Sequence, residues 1–287
     1  MKIKVLNNLI VTLLTLLSVP PVWGQGTVST RKYRFSDFTD KVTQVVLSEN
    51  EMLSGALRQE VVGGWTASAF EFCTLEQFEQ LKSSPQYYFL IAAESRFKGE
   101  ETPGILFLTL VKGGPEAAKG IGEMDEVISL PLSNATGGNG RELLYLGPLL
   151  QAIQEFTLAA LESERTAYSR DTWFNMRMDK RFKTMEVVFA REDLAESVDE
   201  AFFRKTLGDG CRLADAEEAD AAFARGDAHT LVSYTVAPFL PSEGSYCYKM
   251  LFEATSHQLY YIVKHKITPA KGEGFLPEDL RRLSRKR

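Results

Sequence analysis

The strongest constraint on the fold of this chain is an order of elements that occurs twice. The segment TQVVLSENEML, residues 43–53, has a short β-branched core, a small polar residue, acids and an apolar residue that opens a helical pattern. The segment MEVVFAREDL, residues 185–194, has the same arrangement. A repeated order of this kind is typical of a duplicated structural unit.

Hydrophobic periodicity after each of these segments predicts the same series: strand, helix, strand, helix, strand, two further strands and a helix. In the first half the predicted strands are 42–47, 65–73, 87–93, 105–111 and 126–132, and the predicted helices are 49–62, 75–81 and one that Pro148 opens. In the second half the predicted strands lie in TMEVVFA, CRLAD, HTLVSYTVAPF, SYCYKMLFEA and HQLYYIVKHKI, and the predicted helices are 194–207, 216–225 and one that Pro277 opens. Proline suits the first turn of a helix because its missing N–H needs no partner there.

The register of the two halves supports a duplication. The core residues 45–47 precede 187–189 by 142 positions, and Thr74 precedes Asp215 by 141. Thr74 and Asp215 are both predicted to cap helices, and Gln77 completes a capping-box pattern with Thr74. The alternative is two similar α/β segments with convergent caps and turns.

Alternating strands and helices followed by a hairpin predict an α/β fold with a mixed sheet in each half. Specifically, we expect a tandem duplication of a small three-layer α/β unit, with parallel strands plus an antiparallel hairpin in each half. The first repeat covers residues 25–165 and ends in a long exit helix; the second covers residues 166–287.

Residues 1–24 have the composition of a secretory signal peptide. Lys2 and Lys4 precede an apolar run, two prolines follow it, and cleavage is expected near Gly24–Gln25. A membrane anchor is the alternative, but the apolar run is short for a bilayer, and no later segment is expected to span one. The protein is therefore predicted to be exported, either periplasmic or secreted. Loss of the two lysines would change the formal charge from −5 to −7, which argues against nucleic-acid binding.

In its signal peptide and in WTASAFEFCTLEQFEQL and GILFLTLVKGG, which lie within residues 61–114, the chain resembles uncharacterised exported proteins of Bacteroidota-type bacteria. This resemblance implies an exported location and brings no known catalytic residues.

The sequence lacks the usual signatures of catalysis. It contains no G-x-S-x-G elbow, and its three histidines, His229, His257 and His265, have no metal-ligand spacing. The loop GGPEAAKG has the wrong order for a phosphate loop. The acids of LSENE and FARED, which include Asp193, would repel phosphate and are interpreted as stabilising the start of a helix. The acids of EEAD, residues 217–220, are interpreted as a solvated helix face. We therefore expect no cofactor and no metal, and the three cysteines are predicted to be buried free thiols, with a Cys211–Cys247 disulfide as the alternative.

Four residues are candidates for ligand binding. Glu94 follows the third strand, where open α/β sheets bind ligands. Its counterpart in the second half is near Thr235, so the chemistry of a site there is not duplicated. Tyr246 and Tyr248 are predicted to share one strand face, whereas Tyr260 and Tyr261 are predicted to point to opposite faces of the partner strand. Tyrosine-rich sheet faces bind glycans or proteins, although they also serve as packing between repeats.

These observations favour an exported, non-enzymatic binding or scaffold protein, with an envelope protein, a peptide or a glycan as the partner. A hydrolase or transferase with a carboxylate-based site at the carboxyl ends of the strands is the alternative. A degenerate, enzyme-like duplication that serves only as a scaffold is the third hypothesis.

Overall fold

The chain forms two sheets whose strands follow the predicted order. The computed structural model describes residues 31–97, 100–242 and 244–286, so the predicted signal peptide lies outside the described residues. The first sheet contains β1 (Val42–Leu47), β2 (Ala69–Thr74), β3 (Tyr87–Ser95), β4 (Ile105–Lys112) and β5 (Asp125–Asn134). The second sheet contains β6 (Glu186–Ala190), β7 (Cys211–Ala214), β8 (Thr230–Val236), β9 (Tyr246–Glu253) and β10 (Leu259–Lys266).

Helices connect and cover these strands. They are α1 (Arg31–Arg34), α2 (Glu51–Gly64), α3 (Leu75–Leu81), α4 (Arg141–Glu162), α5 (Glu164–Ala167), α6 (Arg170–Arg181), α7 (Glu200–Leu207), α8 (Ala216–Ala224) and α9 (Pro277–Ser284). None of the helices in the described ranges combines the length and the hydropathy needed to cross a bilayer.

The two sheets have the same topology. The strand order is β2-β1-β3-β4-β5 in the first sheet and β7-β6-β8-β9-β10 in the second. In the first sheet β1 runs parallel to both β2 and β3, and in the second sheet β6 runs parallel to both β7 and β8. The remaining neighbouring strands of each sheet pair in the antiparallel direction. Val45 pairs with Leu90 and Val187 pairs with Leu231, so the register agrees with the sequence spacing. The predicted α/β fold with two similar mixed sheets is confirmed.

Helices cover both faces of each sheet. In the first sheet α2 and α4 pack together on one face, while α3 packs on the other through Phe78, whose ring lies 5.0 Å from that of Phe89. In the second sheet α7 and α9 share one face, where Phe203 lies 5.4 Å from Phe189, and α8 covers the opposite face. Each sheet is therefore the middle layer of three, and the compact unit that begins at Arg31 contains both of them.

Helix α4 belongs to both cores. It packs against β5 of the first sheet, and its residue Tyr145 stacks on Tyr234 of the second sheet at 4.1 Å and on Phe223 of α8 at 4.9 Å. The Tyr234 hydroxyl also donates to the carbonyl of Leu132 in β5. The exit helix of the first half, α4, thus packs on the face of the second sheet that α8 covers.

The prediction that Pro148 opens this helix is wrong. Helix α4 begins at Arg141, and Pro148 is a buried residue within it. The Asn139 side chain accepts from the Arg141 N–H, and the Glu142 side chain accepts from the Gly140 N–H, so the start of the helix is stabilised seven residues earlier. Pro148 leaves one carbonyl of the preceding turn without its usual helical donor, and burial of its ring in the shared core offsets part of that loss. Pro277 does occupy the first turn of α9, as predicted.

The predicted helix 194–207 is also shorter than its pattern suggests. Helix α7 begins only at Glu200, after Asp199, whose carboxylate accepts from the Phe202 N–H at 2.6 Å. Before it, the Ala195 N–H donates to the carbonyl of Phe275, and the Phe275 N–H donates to the carbonyl of Asp193. Because these bonds to a distant segment hold the backbone extended, tertiary pairing overrides the local helical pattern.

The predicted helix caps are confirmed. Thr74 and Gln77 form the capping box of α3, and Asp215 accepts from the Glu218 N–H at the start of α8. Helix α2 starts two residues later than predicted because Asn50 caps it.

The predicted burial of the cysteines is confirmed as well. Cys73, Cys211 and Cys247 are all buried, and Cys247 is a free thiol, so the alternative Cys211–Cys247 disulfide is not formed. Burial raises the pKa of Cys73 to about 11 and that of Cys247 to about 12.

Candidate functional site

The structure brings three of the four predicted site residues together. Glu94, exposed at the end of β3, and Tyr248, buried in β9, line the same cavity of about 370 Å³. Tyr246 lies beside this cavity, where its ring packs 4.9 Å from that of Phe97. Tyr260 lines a different cavity together with Met185 and His229.

The prediction that Tyr260 and Tyr261 point to opposite faces is wrong. Both side chains are buried in the hydrophobic cluster that α7 and α9 form with the second sheet. The register of β10 against β9 shifts between Leu259 and Tyr261. The extra residue of this bulge breaks the alternation of side chains, so Tyr260 turns to the same side as Tyr261.

A larger cavity, which we call the acidic crevice, lies at the carboxyl ends of β1 and β3. Its volume is about 870 Å³, and its walls come from the β1–α2 junction, the end of β3, and the β5–α4 loop with the start of α4. The connections that leave β1 and β2 place α2 and α3 on opposite faces of the sheet, so the chain diverges at this point. Such switch points are where open α/β sheets bind ligands.

Two carboxylates of the crevice are available to a ligand. Glu49 and Glu94 are both exposed, and no hydrogen bond or ion pair within the described part of the chain engages either side chain. Glu142, the third acid of the wall, accepts from the Gly140 N–H at 2.9 Å. The charged side chains of the crevice that remain available to a ligand are therefore negative.

The other part of the crevice is apolar and reaches solvent. Met52 and Leu75 are 72% and 39% exposed, which is high for side chains of this size. Leu106 and Leu143 continue the same wall. A cavity with an apolar floor and a few polar groups at its rim has the usual composition of a ligand site.

The helix N-termini beside the crevice offer little to an anion. The Asn50 side chain accepts from the Leu53 N–H at 3.0 Å at the start of α2, and Glu142 occupies the start of α4. Because side chains of the protein already complement these N–H groups, the sites that would otherwise attract phosphate are filled.

The equivalent place in the second half is closed by Arg141. Sheet register makes Ser233 the counterpart of Ala92 and Thr235 the counterpart of Glu94. The Arg141 guanidinium donates to Asp193 at 3.0 Å, to Asp220 at 2.8 Å and to the Ser233 carbonyl at 3.2 Å. A side chain from the first half thus fills the switch point of the second.

The two acids that Arg141 contacts also accept hydrogen bonds from uncharged groups. The Ser233 hydroxyl donates to Asp193 at 2.6 Å, the Thr235 N–H donates to it at 3.1 Å, and the Tyr145 hydroxyl donates to Asp220 at 3.0 Å. Burial raises the pKa of Asp193, with Arg141 opposing the shift. Burial would lower the pKa of Arg141, but Asp193 and Asp220 raise it.

Sequence reasoning missed this network. It interpreted Asp193 as an acid at a helix start and Asp220 as part of a solvated face, yet Asp193 is only 2% exposed and Asp220 is half-buried against Arg141. The interpretation of EEAD holds for the exposed Glu217 and Glu218 and is wrong for Asp220. The only sequence signal was the matched register, which identified Thr235 as the counterpart of Glu94.

The side chains of the crevice do not form a metal centre among the described residues. Across residues 31–97, 100–242 and 244–286, no three His, Cys, Asp or Glu side chains are placed to hold a metal ion. Asp193, a carboxylate whose pKa burial raises, lies beneath Arg141, where a substrate cannot reach it.

In comparisons with protein families, with curated proteins and with solved structures, the chain found no match.

Proposed function

We propose that this protein is an exported, non-enzymatic binding protein whose acidic crevice takes a basic, partly apolar segment of a peptide or protein. The observation that carries the proposal is the pairing of two unengaged carboxylates, Glu49 and Glu94, with an exposed apolar floor. A lysine or arginine side chain satisfies both parts, because its methylene stem packs on apolar surface while its charged head meets the carboxylates.

The asymmetry between the halves supports one open crevice in each chain. Arg141 fills the switch point of the second half, whereas Ala92 and Glu94 leave the equivalent place in the first half open. This argues for a binding role, since Asp193, a carboxylate whose pKa burial raises, is sealed and cannot act as an acid or base on a substrate.

Fluorescence anisotropy with a labelled peptide of alternating leucine and lysine tests the proposal. The peptide should bind the wild type, and affinity should fall as salt rises from about 50 to about 300 mM because the attraction is between partly exposed charges. The double variant Glu49→Gln/Glu94→Gln should bind about fivefold more weakly, the effect of two exposed ion pairs.

Two controls make the result specific. Glu217→Gln removes an exposed acid from α8, outside the crevice, and should bind like the wild type. A peptide of alternating leucine and glutamate should not bind. Equal binding of both peptides contradicts the proposal. So does a loss of affinity in Glu217→Gln as large as that in the Glu49→Gln/Glu94→Gln double variant.

A further inference from the structure

The cavity that Glu94 shares with Tyr248, which we call the aromatic cavity, lies across β3 from the acidic crevice. Ala92 lines the crevice, whereas Ala93 and Ser95 line the aromatic cavity. Successive strand residues face opposite sides of a sheet, so the two cavities lie on opposite faces and meet at the end of β3. The aromatic cavity also includes residues of the second half, Tyr248 and Lys264.

Its wall is aromatic and pre-formed. The Phe107 ring lies 5.5 Å from that of Tyr248 and 6.2 Å from that of Phe97, and Phe97 lies 4.9 Å from Tyr246. Edge-to-face contacts of Phe107 with Tyr248 and Phe97, and the tilted contact of Phe97 with Tyr246, hold the rings in fixed positions. The wall can therefore accept an apolar or aromatic group without rearranging.

Two of its four charged side chains are already engaged. Arg170 donates to Asp171 at 2.7 Å and to the Ser129 carbonyl at 2.9 Å. Glu126 accepts from the Ser129 hydroxyl at 2.8 Å and lies 3.8 Å from Arg31. Neither charge is free for a ligand.

The other two, Lys264 and Glu94, are opposite in sign, and neither forms an ion pair with a described residue. The Lys264 ammonium lies 5.0 Å from the ring of Tyr246 and 5.7 Å from that of Tyr248, and no carboxylate among the described residues forms an ion pair with it. The cavity therefore presents one free positive charge and one free negative charge around an aromatic wall.

We propose that the aromatic cavity binds a short zwitterionic peptide, with its carboxylate at Lys264, its ammonium at Glu94 and an apolar side chain against Phe97, Phe107 and Tyr248. A simple anion would be repelled by Glu94, and a simple cation by Lys264. An uncharged glycan would leave both charges without a partner. The volume of about 370 Å³ suits one or two amino-acid residues.

Isothermal titration with the dipeptide leucyl-phenylalanine and its two blocked forms tests this assignment. The free dipeptide should bind at least about fivefold more tightly than either the N-acetylated or the C-amidated form, since each blocked form loses one charge pair. In Lys264→Gln the preference for the free carboxylate should disappear while the preference for the free amine remains. In Glu94→Gln the reverse should hold.

Lys266→Gln is the matched control, because Lys266 is exposed two residues along the same strand and does not line the cavity. It should keep both preferences. No binding of the free dipeptide, equal binding of the blocked forms, or loss of both preferences in a single charge variant would overturn the assignment, and thermal melts of each variant exclude unfolding as the cause.

Binding of the dipeptide in the aromatic cavity can be tested separately from peptide binding in the acidic crevice. Lys264→Gln should leave binding of the leucine–lysine peptide unchanged, whereas Glu49→Gln should weaken that peptide and leave the dipeptide unchanged, since each residue lines only one of the two cavities.

Discussion

Arg141 is the residue on which the difference between the two halves depends. Its guanidinium bridges Asp193 and Asp220 and also donates to the backbone of β8, so one side chain of the first half is the shared counter-ion of two acids of the second. Buried charges of this kind are tolerated only when they are paired and fully hydrogen-bonded. Each of the three charged side chains therefore depends on the others for its burial to be tolerated.

Removing Arg141 should strongly destabilise the fold. In Arg141→Ala the buried Asp193 and the half-buried Asp220 lose their counter-ion, and we expect the free energy of unfolding to fall by about 3–5 kcal/mol. Urea denaturation followed by circular dichroism measures the change.

Arg212→Ala is the matched control for this prediction. Arg212 also contacts two acids, Glu186 and Glu218, but its side chain is 36% exposed. Its removal should cost less than about 1 kcal/mol, as is usual for surface ion pairs. Similar losses in the two variants would show that the buried network contributes no more than a surface pair.

The sequence identified Glu94 and missed Arg141 for a physical reason. Glu94 could be placed because the end of a buried strand in an α/β unit is itself a predicted location. Arg141 lies in a glycine-rich loop pattern, and its partners are 52 and 79 residues away. No local spacing encodes such a contact.

At the scale of elements, the segment between β6 and α7 shows how a distant segment of the backbone delays the start of a helix. Gly274 has a positive φ of 85°, and a Cβ atom there would lie 2.5 Å from the carbonyl carbon of Leu194 and 2.6 Å from the amide nitrogen of Ala195. Only glycine allows the chain before α9 to approach this turn so closely.

Gly274→Ala should therefore destabilise the protein. The added methyl group meets backbone atoms and the positive φ is strained for alanine, so we expect a loss of at least about 2 kcal/mol. Thermal and urea unfolding of the purified variant measure it.

Gly272→Ala serves as the control because no heavy atom lies within 4 Å of its added Cβ and its φ is not in the strained range. It should unfold within about 0.5 kcal/mol of the wild type, as for ordinary surface substitutions. A Gly274→Ala variant as stable as Gly272→Ala would show that the close approach is not maintained in solution.

At the scale of the whole molecule, the two sheets share one core. Tyr145 of α4 packs among Tyr234, Phe223 and Phe252 of the second half, and the Arg141 network adds buried polar contacts across the same boundary. Neither half covers its apolar surface without the other, which favours a single cooperative unfolding transition.

Hydrogen exchange tests this cooperativity. The most protected amides of β3 and β8 should exchange with free energies that agree within about 1 kcal/mol, because both open only in global unfolding. Tyr145→Ala, which empties the shared core, should lower both values together, by about 3–5 kcal/mol. A variant that lowers protection in β8 and leaves β3 unchanged would show two independent domains.

The sequence by itself determined the strands, the helices that connect them and the mixed character of each sheet, although it did not predict helices α1, α5 and α6. The apolar cores of the strands, the caps at Thr74 and Asp215, and the near-constant spacing between the halves predicted two α/β sheets with the same order, because propensity, capping and periodicity are local properties of the chain. The tertiary structure alone decided where helix α7 begins, which way Tyr260 turns, and which of the two equivalent crevices stays open. Those outcomes depend on contacts between residues far apart in the sequence: Phe275 with the turn at Asp193, and Arg141 with the acids of the second half.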